Sequence, residues 1–202
     1  MGESKEPRLA PLPRERWGED ARQALEKGFP GAAASFLDAG ADAPPIPNVL
    51  GTLMHHPELA GAFMAYNRIL LSTPTLGHRL REVMVLRVAW RTRAVYEWVQ
   101  HTRVAAGAGM SREEIEATIH GAEAELWSPL EADLLRATDQ LLDGHRIEDE
   151  TWARLAGELD ERQLLEAVFT VGTYSCLAMA FNSFELQLDP GLEPHAGLPL
   201  PE

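Results

Sequence analysis

Apolar side chains recur every three or four positions in one segment after another once the chain passes residue 57. Leu59, Phe63, Tyr66 and Leu70 form such a stripe behind Pro57, a residue suited to a first helical turn. Ser72-Thr-Pro-Thr breaks it. From Gly77 to Trp90, the positions Leu80, Val83, Met84, Leu86, Val88 and Ala89 cover most of a helix circumference, which predicts a central, buried helix. Arg91-Thr-Arg interrupts, and a helix over 94–108 follows, ended by Gly107 and Gly109. Ser111-Arg-Glu-Glu is a capping box that opens a short helix to His120. Ser128-Pro129 starts another, with Leu130, Leu134, Leu135, Ala137 and Leu141 inward and Gly144 closing it. A short polar helix over 149–159 precedes a last helical region from Asp160 through Leu164, Val168 and Val171 to Phe184. Gly172 marks a candidate kink or split in it.

The N-terminal part reads differently. Residues 1–16 are polar and Pro-rich, an extended arm. Gly18 to Lys27 suits a short helix stopped by Gly28 and Pro30, residues 38–47 a loop, and residues 48–54 a short helix. Residues 189–202 hold four of the 14 prolines and predict an extended tail. No strand pair stands out, so the fold class is all-α, organised as an arm and short helix (1–45), a helical domain (46–188) and a tail (189–202).

Composition narrows the partners. With 45% hydrophobic residues, 202 positions are enough to build a core. The net charge of −13 argues against nucleic acid and against an anionic membrane surface. No run of eighteen apolar residues occurs, and no apolar signal region opens the chain. Cys176 is the one cysteine and cannot close an internal disulfide, so the expected location is cytoplasmic.

The candidate chemistry lies in one stretch. Glu97 and His101 are four apart, on one face of the helix over 94–108, and Glu82 sits on the buried helix before it. Two carboxylates and an imidazole beside packed apolar surface can trade protons, because burial and mutual interaction move their titration towards neutrality. The plain alternative is a structural network tying two helices together. The same trio is also a metal-ligand set in type, though Glu-x-x-x-His spacing is weak support for one.

Arg81-Glu-Val-Met-Val-Leu-Arg-Val-Ala, followed by Tyr96-Glu-Trp-Val-Gln-His-Thr-Arg-Val-Ala and the turn Ala106-Gly-Ala-Gly-Met-Ser-Arg-Glu-Glu-Ile, resembles the carboxymuconolactone decarboxylase family over roughly residues 47–120. That resemblance implies an alkylhydroperoxidase D-like helical bundle, self-assembled as a dimer, trimer, hexamer or other homo-oligomer, with sites near subunit boundaries. Redox members carry a Glu, a Cys-x-x-Cys pair and a His four residues after the second Cys. Glu82 and His101 match the Glu and His; Ala94 and Glu97 stand where the cysteines would be, and Tyr96 at a position often His in peroxidase members. Thiol reduction of a peroxide needs an attacking thiolate and a resolving thiol, so a dithiol peroxidase is argued against.

What the resemblance then implies is an acid–base enzyme with no cofactor and no metal, acting on a small organic acid or lactone by decarboxylation, isomerisation or hydration. His101 would be the general acid or base, with Glu82 and Glu97 setting its protonation. Tyr96 is a candidate hydrogen-bond donor, and Arg93 and Arg103 are candidates to hold a substrate carboxylate. The alternatives are a non-catalytic ligand-binding or structural oligomer, and a residual hydroperoxidase using Cys176. Several residues have plainer readings. Cys176, among small and apolar neighbours, reads as a buried inert thiol. Tyr66, Trp90, Trp98 and Tyr174 read as packing, His55-His56 as a cap or surface pair, and Asn182 as a polar group needing a partner. Arg79, Arg81, Arg87 and Arg91 read as ion-pair donors to the acidic surplus.

Overall fold

The computed structural model describes residues 6–37, 45–193 and 195–201. Among them every regular element is helical: α1 (Glu19–Gly28), α2 (Ala33–Leu37), α3 (Asn48–Leu53), α4 (Pro57–Ser72), α5 (His78–Arg91), α6 (Val95–Gly107), α7 (Arg112–Ala117), α8 (Pro129–Gly144), α9 (Asp149–Glu158) and α10 (Glu161–Phe184), with short 3-10 turns at 14–16, 121–123 and 195–197. The fold is thus all-α. The chain divides into two compact units, Met1–Thr73 with Ser183–Pro190, and Pro74–Asn182 with Gly191–Glu202.

In the first unit α1 packs on α4. The buried face of α4 is Ala60, Gly61, Met64 and Leu70. This corrects the expected stripe: Leu59 is exposed, and Phe63 and Tyr66 are only half-buried, their rings meeting edge-on. The reason is close helix approach. A Cβ on Gly61 would stand 2.9 Å from the Ala24 backbone of α1, so small residues, not large ones, line the contact. His56 caps α4, its Nδ1 accepting from the Leu59 amide, and His55 bonds the Ala10 carbonyl. Asn48 holds Asp189 and the carbonyls of Gln187 and Leu188. Of the expected 38–47 loop, residues 38–44 lie outside the described residues, as do residues 1–5 of the expected arm.

The second unit is built around α5. Arg81 through Ala89 are all buried there, so this helix owes its place to packing on every side rather than to one apolar face. α6 and α8 pack on it, and α10 contributes Leu164, Ala167, Val171 and Tyr174 to the same core. The Ser111 and Ser128 capping boxes both form, the second with Glu131. The helix from Ser111 ends at Ala117, short of His120, and passes into turns. α10 runs unbroken through Gly172. It is long and apolar enough to cross a bilayer, with a mean hydropathy of 1.5 in its most apolar window. It buries Thr170, Thr173 and Tyr174 within the chain.

Four arginines of the basic cluster are ion-paired: Arg79 with Glu114 and Glu131, Arg81 with Glu82, Arg87 and Arg91 with Asp139, and Arg91 also with Asp143. The tail lies along α6. Trp98, fully buried against Trp90, donates to the Pro199 carbonyl, and Thr102 accepts from the His195 amide. Asn182 finds its partner in the Thr92 carbonyl at 2.8 Å.

Candidate active site

A three-residue turn sets the site. Thr92 Oγ1 donates to the Val88 carbonyl at 2.7 Å, the Ala94 amide donates to the Ala89 carbonyl at 2.9 Å, and Arg93 takes a left-handed φ of 56°. The chain reverses there, and α6 returns along α5. Glu82 lies ten residues before Thr92 (92 − 82) and His101 nine after it (101 − 92), so closing the hairpin brings the two level. A left-handed backbone costs a residue with a Cβ about 1–2 kcal/mol. Arg93→Gly should therefore raise the unfolding free energy by about 1 kcal/mol, part of the gain being offset by the looser unfolded chain. Urea denaturation checks it; a variant less stable than wild type would contradict the reading of the turn.

His101 Nδ1 and Glu82 Oε2 are 2.6 Å apart. The other Glu82 oxygen accepts from Arg81, whose Nε lies at 2.8 Å and whose Nη2 also bonds it. Burial alone pushes the Glu82 carboxyl up, but the His101 ring and the Arg81 guanidinium together outweigh it and hold the carboxyl below its usual range. Glu82 is therefore ionised and fully buried, and the Nδ1 of His101 is the donor. Nε2 is left outside this pair. Among the described residues it has no protein partner, and the side chain keeps 12% of its surface exposed. The Tyr174 ring stands edge-on to the imidazole, centroids 4.9 Å apart at 88°, and fixes its plane. Burial, then the Glu82 carboxylate, push the Tyr174 phenol up, against the pull of Arg81, so it stays protonated.

Glu97 sits one turn before His101, 2% exposed, and neither of its oxygens has a hydrogen-bond partner among the described residues. Burial first, and the Glu82 carboxylate second, raise its carboxyl well above the usual 4.5. It is a neutral acid beside an ionised one, the divided pair that two carboxylates in one apolar site produce. Folding thus takes up a proton at Glu97. The resulting loss of stability is absent below 4.5 and grows by about 1.4 kcal/mol per pH unit from there up to the raised value. Glu97→Gln, a neutral isostere, should match wild type in urea denaturation near pH 4 and exceed it increasingly at neutral and alkaline pH. Equal stability at pH 8 would mean that Glu97 ionises freely in the folded chain.

The remaining candidates have other neighbours. Tyr96 is buried against Phe181, its hydroxyl accepting from Gln100. Arg103 is exposed and donates from Nε to the Glu193 carbonyl. Arg93 is exposed at the turn, on a cavity of about 490 Å³ with Trp90, Pro199 and Leu200. Cys176 is exposed, which corrects its expected burial: it falls on the outer side of α10, about 200° around the helix from Tyr174. Arg81 and Tyr174 complete the centre, and sequence reading had placed them only among ion pairs and packing. For a metal, both Glu82 oxygens are already taken, and among the described residues no group of three His, Cys, Asp or Glu side chains is placed to hold one.

Residues 57–140 match the model of the carboxymuconolactone decarboxylase family. No protein of curated function matches the sequence. Solved structures match it over almost its whole length at low identity. An uncharacterised peroxidase-related protein from Silicibacter sp. TM1040 is 17% identical, with a TM-score of 0.74 over 95% of this chain and 97% of that one. An alkylhydroperoxidase AhpD core protein from Ralstonia eutropha JMP134 is 16% identical, with a TM-score of 0.71 over 92% and 94%. The debrominase Bmp8, as a cysteine-to-alanine variant in complex with 2,3,4-tribromopyrrole, is 15% identical, with a TM-score of 0.69 over 93% and 94%. At such identities the likeness carries the fold alone. The chain thus has an alkylhydroperoxidase D-like all-α fold, and its residues 57–140, from α4 into α8, are similar to the carboxymuconolactone decarboxylase family.

Proposed function

We propose that the chain is a cofactor-independent acid–base enzyme acting on a small organic acid or lactone by decarboxylation, isomerisation or hydration, in the cytoplasm. The observation that carries this reading is the 2.6 Å contact between His101 Nδ1 and the buried, ionised Glu82. With Nδ1 donating to Glu82, Nε2 is the ring nitrogen left to accept a proton. When Nε2 takes a substrate proton, the imidazolium that forms is stabilised by the carboxylate behind it. The same N–H then returns the proton to the carbon left by carbon dioxide, or to a neighbouring carbon in an isomerisation. Glu97, held neutral, adds no second negative charge that would oppose a substrate anion.

The test is incubation with a panel of small lactone acids and 2-oxo acids in deuterium oxide, followed by NMR for deuterium uptake and by carbon dioxide release. Exchange by wild type that is absent from a His101 variant supports the reading; no exchange with any compound counts against it. A non-catalytic binding oligomer is the second reading, favoured by where the open cavities lie. Those of about 430 and 490 Å³ are lined by Leu142, Val171 and Met179, and by Trp90, Arg93 and Pro199, not by the Glu82 centre. Under that reading ligand-induced thermal shifts survive His101 replacement. A hydroperoxidase route through Cys176 would be lost on thiol alkylation, and peroxide turnover that survives alkylation excludes it.

A further inference from the structure

The turn between α5 and α6 and the C-terminal tail border a cavity of about 490 Å³, lined by Trp90, Arg91, Arg93, Pro199, Leu200 and Pro201. All six belong to one compact unit, and none of Glu82, Glu97 and His101 is among them. In a chain of net charge −13, the charged lining of this cavity is two arginines and no carboxylate. Arg91 is already held by Asp139 and Asp143. Arg93 is exposed, and among the described residues its guanidinium has no hydrogen-bond or ion-pair partner. Its backbone keeps a left-handed φ of 56°, which glycine adopts without strain. Strain retained for a side chain with no internal partner points to a partner from outside. The half-buried Trp90 packs its ring on Trp98, and its indole N–H is likewise unpartnered among the described residues. The tail wall is fixed in place. Trp98 donates to the Pro199 carbonyl at 2.8 Å, and Leu198 and Pro201 are buried.

We propose that this cavity is a binding site for a small aromatic carboxylate, built from residues other than those of the Glu82 centre. Arg93 holds the carboxylate through its planar fork of donors. The Trp90 indole and the rings of Pro199 and Pro201 take the flat apolar body. The two halves require each other. A ring without the charge takes the guanidinium out of water with nothing to accept its N–H groups. A carboxylate without the ring leaves the indole and proline surfaces wet. The sign of the lining disfavours cations. The size fits a small ligand, whose pockets run from about 300 to 1,000 Å³. The tail backbone is tied by Trp98 and stiffened by its prolines, so the wall is preformed and binding has little left to order. The site stands whether or not the Glu82 centre turns over a substrate.

Isothermal titration of the full chain with benzoate should give a Kd of about 1 mM or below, within the efficiency open to so small a ligand. Benzamide keeps the ring and acetate keeps the charge; each should bind at least about tenfold more weakly than benzoate. Arg93→Gln should weaken benzoate about tenfold. It breaks no internal pair, so it should keep wild-type stability. Arg93→Gly should gain stability and lose benzoate as well, which separates binding from folding. NMR locates the site. The indole N–H resonance missing from Trp90→Phe should move when wild type is titrated, and far less in Arg93→Gln at the same benzoate concentration. His101→Ala should bind benzoate as wild type does. Wild type that takes up no benzoate at about 10 mM, or an Arg93→Gln affinity equal to wild type, overturns the proposal. Binding lost in His101→Ala also overturns it, assigning the carboxylate to the Glu82 centre.

Discussion

His101→Ala is expected to lower kcat by about 10²- to 10⁴-fold, the usual contribution of a positioned general acid or base. The helical circular dichroism should stay as in wild type. The two expectations separate because of where the ring sits. Its exposed edge means that truncation opens no sealed void, and Glu82 keeps its Arg81 partner. What goes is the ring nitrogen proposed to accept the proton. His101→Gln sharpens the test, since the amide can still donate to Glu82 but cannot cycle a proton. Its kcat should fall as far as that of the alanine variant. Turnover at the wild-type rate in both variants, in the deuterium-uptake assay, would remove His101 from the chemistry.

The helices were legible where local signals suffice. Ser111 and Ser128 announce their capping boxes, and the apolar positions from Leu80 to Ala89 announce a helix with no free face. The pairing of Glu82 with His101 was also within reach, because a short turn at Thr92 makes residues equidistant from it meet. Other features turn on which surface a helix meets, and periodicity does not carry that. On α4 the sequence offers Leu59, Phe63 and Tyr66, but Ala24 of α1 comes so close to Gly61 that Ala60, Gly61 and Met64 are buried instead. On α10, apolar residues lie all round, so nothing local said that Cys176 would face out while Tyr174 reached His101. Arg81 escaped notice because Glu82 is its chain neighbour, and adjacent side chains on a helix point about 100° apart. Only the long arginine stem lets the guanidinium fold back onto that carboxylate.

Glu82→Gln is expected to cost about 3–5 kcal/mol of unfolding free energy at pH 7, the range for breaking a buried ion pair from one side. The Arg81 guanidinium is 2% exposed, and the carboxylate it shares with His101 is fully buried. An amide keeps the shape and one acceptor but withdraws the charge that makes a buried guanidinium tolerable. The pH dependence distinguishes this loss from simple repacking. The folded chain holds the Glu82 carboxyl below the usual 4.5, so its contribution is in place above 4.5 and is lost as pH falls through the lowered value. Urea denaturation should therefore show the largest gap between wild type and Glu82→Gln at neutral pH, closing on acidification. Glu97→Gln moves the other way, its gain appearing only as pH rises above 4.5. In the double variant the Glu97 gain should shrink, since part of what keeps that acid neutral is the charge on Glu82. Strict additivity between the two would mean that the carboxyls do not sense each other, and the divided pair behind His101 would be lost as an explanation of the site.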